Sequence, residues 1–183
     1  MRLVLASASP RRQVLLGIAR IPFTVRAAKV DERSLPGEPP EAYVLRLAEA
    51  KARASWQPAE VTLGADTVVT LDGLLLGKPD DQGDACRILR LLSGRTHCVL
   101  TGICLYDGTN ARTALETTTV EFLELTDDEI YAYVAGGEPL DKAGAYGIQG
   151  EASKFVKRID GCYFNVVGLP LAMVYSFIRS ILR

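Results

Sequence analysis

The sequence predicts a mixed α/β protein in which helices flank a mixed sheet. Strand and helix patterns alternate through the first half of the chain, which is typical of layered α/β folds. Two long extended stretches then follow each other, Thr96 to Tyr106 and Thr113 to Leu125, as in an antiparallel pair. No internal repeat or linker divides the chain, so we expect a single domain over residues 1–183.

The first elements are a strand, a helix and a second extended segment. Arg2 to Ala6 is short and mostly apolar, and Ser9 followed by Pro10 suits the N-cap and first turn of a helix. The pattern becomes extended again over Phe23 to Ala28. A loop rich in proline and charged residues is expected from Val30 to Pro40.

The middle of the chain predicts two helices separated by a hairpin. Apolar residues recur at helical spacing from Pro40 to Ser55. Val61 to Val69 is apolar on both faces, as in a strand buried within a sheet, and Asp72-Gly73 favours a hairpin turn after it. Asp80 or Asp81 then begins a helix that Ser93-Gly94 ends.

The last third of the chain contains a capping box, a glycine-rich segment and a C-terminal helix. Thr126 and Glu129 have the spacing of a capping box. Gly136 to Gly150 is rich in glycine and carries charges of both signs, which makes it a candidate ligand loop. Phe155 to Val167 is expected to be extended around a turn, and Leu171 to Leu182 to be helical.

Composition and charge exclude several classes of protein. The chain has 21 Lys and Arg against 22 Asp and Glu and no basic tract, so a nucleic-acid polymer is not an expected partner. Hydrophobic residues make up 48%, as in ordinary globular domains. The N-terminal strand is too short for a signal peptide, and polar residues interrupt the apolar stretch from Val166 to Leu182, so we expect no membrane span.

The four cysteines favour a protein of the reducing cytoplasm. No two of them form a CxxC pair, and His97 is the single histidine, which disfavours a zinc site and a Cys-His nucleophile. Free cysteines are usually small buried residues. We therefore expect a cytoplasmic protein.

The segment from Ser7 to Arg12 has two interpretations. Two hydroxyl groups and two guanidinium groups stand where a strand turns into a helix, so in the first interpretation they converge on one anion with the backbone N–H groups. In the second, the helix is N-capped and its arginines are solvated. The residue types alone favour neither.

Asp66 is the strongest candidate for a catalytic residue. A carboxylate in an apolar strand is costly unless it is paired, binds a metal or lies at an open sheet edge, where ligands bind in α/β folds. The structural alternative is an Asp that caps a turn or pairs with a lysine. Glu32, Lys51 and Lys78 are weaker candidates, because loop acids and helix-end lysines are usually solvated. Together, these acids and cations suit a magnesium-bound triphosphate.

Seven short segments stand in an order that is specific to one family. They are Leu5–Arg12, Arg46–Arg53, Gly64–Val68, Gly77–Pro79, Leu92–His97, Gly137–Gly150 and Val166–Pro170. Over essentially the whole chain, they are similar to the ordered motifs of the Maf family. Asp66-Thr67 and the segment from Asp141 to Gly150 are similar to the branch that acts on dTTP and UTP, whereas the branch that acts on 7-methyl-GTP has different residues there.

The resemblance implies an activity, a fold and an assembly. Maf-like proteins cleave a nucleoside triphosphate to the monophosphate and pyrophosphate. Their elongated α/β fold resembles that of the inosine triphosphate pyrophosphatases, and they are often homodimers. By this resemblance we expect a pyrimidine nucleoside triphosphate as substrate and a divalent cation, Mg²⁺ or Mn²⁺, as cofactor.

The resemblance also implies roles for individual residues. Asp66 matches the proton acceptor, and Glu32 and Asp66 are the metal candidates. The positions tied to substrate choice are Arg12, Thr67 and Gln149. Polar positions that line the pocket are matched by Ser7, Glu32, Lys51 and Lys78.

Two alternatives to this activity stay open at the level of sequence. The first is a non-catalytic, nucleotide-binding regulator of cell division, since the family is associated with inhibition of septum formation. The second is a house-cleaning enzyme whose important substrates are modified pyrimidine triphosphates. Pyrophosphate release from dTTP or UTP separates the first alternative from the enzyme, and the sequence does not rank the second against the normal substrates.

Overall fold

The computed structural model describes residues 2–181, so the predicted end of the last helix at Leu182 and both termini of the expected domain lie outside the described residues. The strands are β1 (Arg2–Leu5), β2 (Thr24–Val25), β3 (Glu60–Leu71), β4 (Leu74–Leu76), β5 (Thr96–Tyr106), β6 (Ala111–Phe122) and β7 (Val156–Asp160). The α-helices are α1 (Pro10–Ile18), α2 (Pro40–Ser55), α3 (Gln82–Leu92), α4 (Asp127–Ala135), α5 (Tyr163–Val167) and α6 (Leu171–Ile181). Short 3₁₀ helices occupy Glu138–Asp141, Ala143–Ala145 and Glu151–Phe155.

The strands form one mixed sheet in the order β2-β1-β3-β5-β6-β7, with β4 paired to β3. β1 runs parallel to both β2 and β3, with Leu5 opposite Leu63. β4 is antiparallel to β3, and β7 is antiparallel to β6. This arrangement confirms the predicted mixed α/β class, because both kinds of strand pairing occur in one sheet.

The chain divides into two compact units. The first contains the described residues up to Thr67, Thr101–Glu116 and the described residues from Gly168 onward. The second contains Val68–Leu100 and Thr117–Val167. The long strands β3, β5 and β6 each contribute residues to both units. The single domain expected from the sequence stays a prediction.

In the first unit, two glycines let helix α2 pack directly against the sheet. A Cβ atom at Gly64 in β3 would overlap the carbonyl oxygen of Ala48 and lie 2.8 Å from the backbone nitrogen of Ala52. A Cβ atom at Gly102 in β5 would lie 2.5 Å from the carbonyl oxygen of Val44. The helix backbone therefore fills the space that side chains would take, which brings α2 close to β3 and β5 at these points.

The second unit has its own apolar core, built from α3, α4 and the halves of β3, β5 and β6 that belong to it. His97 lies inside this core, with Nε2 at 2.9 Å from the hydroxyl oxygen of Tyr146 and its ring edge-on to Phe122. Burial lowers the pKa of His97 to about 4, so the ring is neutral at physiological pH. His97 is therefore a packed core residue.

Most local signals in the sequence are confirmed. The hydroxyl of Thr126 accepts from the backbone N–H of Glu129, whose side chain accepts in return from the backbone N–H of Thr126. Asp81 caps α3 by accepting from the backbone N–H of Asp84 at 2.8 Å. Ser9 does occupy the N-cap position of α1, but its side chain makes no capping hydrogen bond; its backbone N–H donates to the hydroxyl of Ser7 instead.

One extended segment was predicted wrongly. Only Val156–Asp160 of the stretch from Phe155 to Val167 is a strand, and Tyr163–Val167 is a short helix. The side-chain amide of Asn165 is fully buried and donates to the carbonyl oxygen of Val99 and the hydroxyl of Thr118. These long-range hydrogen bonds stabilise the helical turn against the local pattern. The extended segment at Phe23 to Ala28 is also shorter than predicted, since only Thr24–Val25 pairs.

Within residues 2–181, no helix combines the length and the apolar character needed to cross a membrane.

The cysteines are all free thiols; Cys86 and Cys104 are buried, and Cys98 and Cys162 are partly buried.

We predict that Gly64→Ala strongly destabilises the protein, whereas Gly17→Ala stabilises it. The added methyl group at Gly64 meets the backbone of α2, and overpacking of this kind costs about 1–3 kcal/mol or more. Gly17 lies in α1 with nothing within 4 Å of its Cβ position, so alanine there raises the free energy of unfolding by about 0.5–1 kcal/mol. Urea denaturation of both variants measures the two effects, and an unchanged stability of Gly64→Ala would contradict the close helix-sheet contact.

Candidate active site

Asp66 lies on β3 with its side chain almost completely buried. One oxygen, Oδ1, accepts a hydrogen bond from Nζ of Lys51 at 2.6 Å. Burial raises the pKa of Asp66 above its ordinary value of 3.8, while the positive charges of Lys51 and Arg12 act in the opposite direction. A carboxylate with a raised pKa and a cation beside it is suited to accept a proton.

Lys51 connects two acids. Its side chain is buried, and Nζ contacts Oε1 of Glu32 at 2.7 Å as well as Oδ1 of Asp66. The Glu32 side chain is 56% exposed, whereas that of Asp66 is 12% exposed. The ammonium group therefore bridges one inner and one outer carboxylate. This position follows from the close packing of α2 against β3 described above.

Two residues of α2 hold the acidic loop in place. The hydroxyl of Tyr43 donates to the carbonyl oxygen of Glu32 at 2.7 Å, and Nη2 of Arg46 donates to the carbonyl oxygen of Arg33 at 3.1 Å. Burial, with the negative charges of Asp66 and Glu32, raises the pKa of Tyr43 to about 12, so it stays protonated as a donor. These contacts bring Glu32 to the site from a loop that has no regular structure. Neither Tyr43 nor Arg46 is among the site residues expected from the sequence, because nothing local marks a helix residue that holds a loop.

Arg12 is buried, and its guanidinium group is bound by the protein itself. Nε donates to the carbonyl oxygen of Gly168 at 2.8 Å, and Nη1 donates to the hydroxyl of Ser7 at 3.1 Å and to the carbonyl oxygen of Ala65 at 2.9 Å. Nη2 donates to the hydroxyl of Thr67 at 3.0 Å. Arg12 is thus not solvated, and its guanidinium N–H groups bind the protein instead of being free to bind an anion. It holds the two residues that flank Asp66. Its role in substrate choice stays a prediction.

The hydroxyl of Thr67 is a junction in this network. Besides accepting from Arg12, it lies 2.9 Å from the hydroxyl oxygen of Thr101 on β5. Thr101 had no signal in the sequence. Gly168 has a positive φ of +122°, a conformation that residues with side chains rarely adopt. This explains why a glycine begins the Gly-Leu-Pro segment, which the sequence alone did not reveal.

Lys78 and Gln149 belong to the second unit. Both side chains are exposed. The backbone N–H of Gly144 donates to the carbonyl oxygen of Gly77 at 3.0 Å, so the glycine-rich segment that carries Gln149 is joined to the residue before Lys78. Their roles in binding stay predictions.

The glycine-rich segment is braced rather than loose. The carboxylate of Glu138 accepts from the hydroxyl of Tyr133 and from the backbone N–H of Glu151, both at 2.9 Å. A Cβ atom at Gly150 would overlap that carboxylate, so a side chain there would displace Glu138 from its present position. The hydrogen bond between Glu138 and Glu151 therefore links residues before and after Gln149, a contact that the sequence did not predict.

The donor set fits a divalent cation only in part. Among residues 2–181, no group of three or more His, Cys, Asp and Glu side chains is placed to hold a metal ion. Glu32 and Asp66 nevertheless converge on one ammonium nitrogen, at 2.7 and 2.6 Å, so both carboxylates face one position that a cation occupies. Mg²⁺ is commonly held by one or two carboxylates, with phosphate oxygens and water as the remaining ligands. The two acids fit a cation that is bound together with a triphosphate.

Curated proteins of nearly the same length are similar to this chain, and three of them illustrate the likeness. A protein of Koribacter versatilis is 51% identical over 98% of this chain and 94% of its own. One of Anaeromyxobacter dehalogenans is 54% identical over 97% and 93%. One of a Geobacillus species is 49% identical over 98% of both chains. Each of these relatives is named dTTP/UTP pyrophosphatase.

A solved structure and a family match complete the comparison. The Ham1 protein of Staphylococcus aureus superposes with a TM-score of 0.51 and 14% identity, covering 98% of this chain and 99% of that one. This likeness concerns the fold alone and confirms the fold expected from the resemblance. Residues 2–181 match the family described as Maf-like protein. The chain belongs to the Maf family.

Proposed function

We propose that this protein is a nucleoside triphosphate diphosphatase that hydrolyses dTTP and UTP to the monophosphate and pyrophosphate. The observation that carries the proposal is the buried carboxylate of Asp66, which has a raised pKa and lies 2.6 Å from the ammonium group of Lys51. The choice of substrate is supported by relatives of about half identity, over nearly the whole chain, that are named dTTP/UTP pyrophosphatase.

In the proposed reaction, Asp66 accepts a proton from water. The water oxygen forms a bond to the α-phosphorus as the bond from the α-phosphorus to the bridging oxygen breaks, and pyrophosphate leaves in line. Water and triphosphate are consumed, and the monophosphate, pyrophosphate and the proton held by Asp66 are formed. Because burial raises its pKa, Asp66 is a stronger base than an ordinary aspartate, while the positive charge of Lys51 favours its ionised form.

Positive charges stabilise the phosphate groups. Lys51 is next to Asp66, and Lys78 is exposed on the second unit, so either ammonium group can pair with phosphate oxygens. Arg12 orients Thr67 and the backbone before Asp66. Glu32 and Asp66 would hold a divalent cation, which supplies neutralisation of the triphosphate charge when it is bound.

Base selection is proposed to rest on Gln149. A uracil or thymine edge presents an N–H between two carbonyl groups, and the amide of glutamine offers both an acceptor and donors to meet them. The brace formed by Glu138 and Tyr133 supports this role, because a side chain on an ordered segment loses less entropy on binding. Modified pyrimidines with the same edge belong to the same substrate class.

The assembly and location are also proposals. A homodimer is supported by Val14 and Ile18, large apolar side chains that are 56% and 64% exposed on α1. A location in the cytoplasm is supported by the free cysteines, which persist in reducing compartments.

We expect Asp66→Asn to lower turnover of dTTP and UTP by about 100-fold or more, the usual scale of a lost general base. Pyrophosphate release with Mg²⁺ or Mn²⁺, and with chelator as a blank, is the measurement. Asp72→Asn is the matched control, because Asp72 is exposed in the turn after β3 and asparagine tolerates its positive φ. Nucleotide binding without pyrophosphate release in the unmodified protein would favour the regulator instead.

We expect Gln149→Ala to change the ratio of kcat/KM for UTP over CTP by about tenfold, the effect of roughly one lost hydrogen bond to the base. Thermal stability should not change, since the Gln149 side chain is exposed. Gln57→Ala, at another exposed glutamine, provides the control. An unchanged substrate profile in the first variant would remove Gln149 from base recognition.

A further inference from the structure

The ammonium group of Lys51 occupies the place between the two acids that are the metal candidates. Nζ is 2.7 Å from Oε1 of Glu32 and 2.6 Å from Oδ1 of Asp66. A cation shared by these two carboxylates would take the position that this nitrogen now holds. Lysine and metal therefore compete for the same pair of oxygens.

The competitor is held firmly. Lys51 is 9% exposed, and it stands on the helix whose backbone is pressed against β3 and β5 at Gly64 and Gly102. The neighbouring hydroxyl of Thr62 also donates to the carbonyl oxygen of Ala52 at 2.8 Å, which ties the same turn of α2 to the sheet. The packing of α2 against the sheet thus places the ammonium group next to the two acids.

The charges of this group disfavour a second cation. Two carboxylates and one ammonium group leave a single net negative charge, and the buried guanidinium of Arg12 raises the local potential further. With no third carboxylate, histidine or cysteine in a metal-binding group among residues 2–181, the acids alone offer few ligands. A divalent cation that approaches the free protein meets a site already close to neutral.

We propose that Lys51 is a built-in competitor that keeps the divalent-cation affinity of the free protein low and yields the two carboxylates when a triphosphate binds. Phosphate oxygens then give the ammonium group new partners and give the cation its missing ligands, so metal and nucleotide bind together. The part of this proposal that concerns the nucleotide rests on the proposed function. The low cation affinity of the free protein does not depend on it.

The test is a titration of the nucleotide-free protein with Mn²⁺ at pH 8, followed by electron paramagnetic resonance of free Mn²⁺. Removing the competing charge in Lys51→Met should tighten Mn²⁺ binding by about tenfold or more. Lys157→Met is the matched control, because Lys157 pairs with one carboxylate, that of Glu121, at an exposed position. It should bind Mn²⁺ as the unmodified protein does.

Further variants keep the test decisive. Lys51→Gln retains a donor for Asp66 and serves if Lys51→Met does not fold, as judged by circular dichroism. Lys51→Arg restores the charge and should restore weak binding, and adding Asp66→Asn to Lys51→Met should abolish the gain. Mn²⁺ affinity that is unchanged or weaker in the folded, uncharged variants overturns the proposal.

The two proposals fail in different ways. If the unmodified protein releases no pyrophosphate, the proposed function is wrong, whatever Lys51→Met does to Mn²⁺ affinity. If it releases pyrophosphate and Lys51→Met gains no Mn²⁺ affinity, only the competition is wrong.

Discussion

The structure of the site depends on how the negative charge of the buried Asp66 carboxylate is compensated. Its burial is unfavourable for the charged form, which is why its pKa is raised, and the ammonium group of Lys51 at 2.6 Å makes ionisation possible. That contact requires α2 to lie against the sheet with no side chain between them. Gly64 and Gly102 permit this, so two glycines without chemistry of their own determine the geometry of the acid.

Stability alone does not explain this ion pair. Replacing a buried pair by apolar residues is often neutral or stabilising, whereas removing one partner costs about 3–5 kcal/mol. A chain selected for folding only has no need of Lys51 and Asp66 inside an apolar contact of helix and sheet. The pair therefore supports the proposed role of Asp66, and the hydrogen bonds of Arg12 hold the residues on both sides of this carboxylate.

Local patterns predicted the elements well, because capping boxes, hairpin turns and apolar periods act within a few residues. Asp66 was identified in the same way, as a charge that interrupts an apolar strand. Local patterns could not predict the hydrogen-bond partners of Arg12. These partners are Ser7, Ala65, Thr67 and Gly168, which only the folded chain brings together. The short helix at Tyr163–Val167 was missed for the same reason, since buried hydrogen bonds of Asn165 override its extended pattern.

Asp66 is proposed as a buried base whose proton affinity is set by burial, which raises its pKa, and by the charge of Lys51, which lowers it. Titration of its side-chain carboxyl carbon by ¹³C NMR, in the metal-free protein, tests this most directly. We expect a midpoint above the ordinary 3.8 and a still higher midpoint in Lys51→Met, because that variant loses the charge that lowers the pKa. A midpoint at or below 3.8, or the same midpoint in both proteins, would contradict the account.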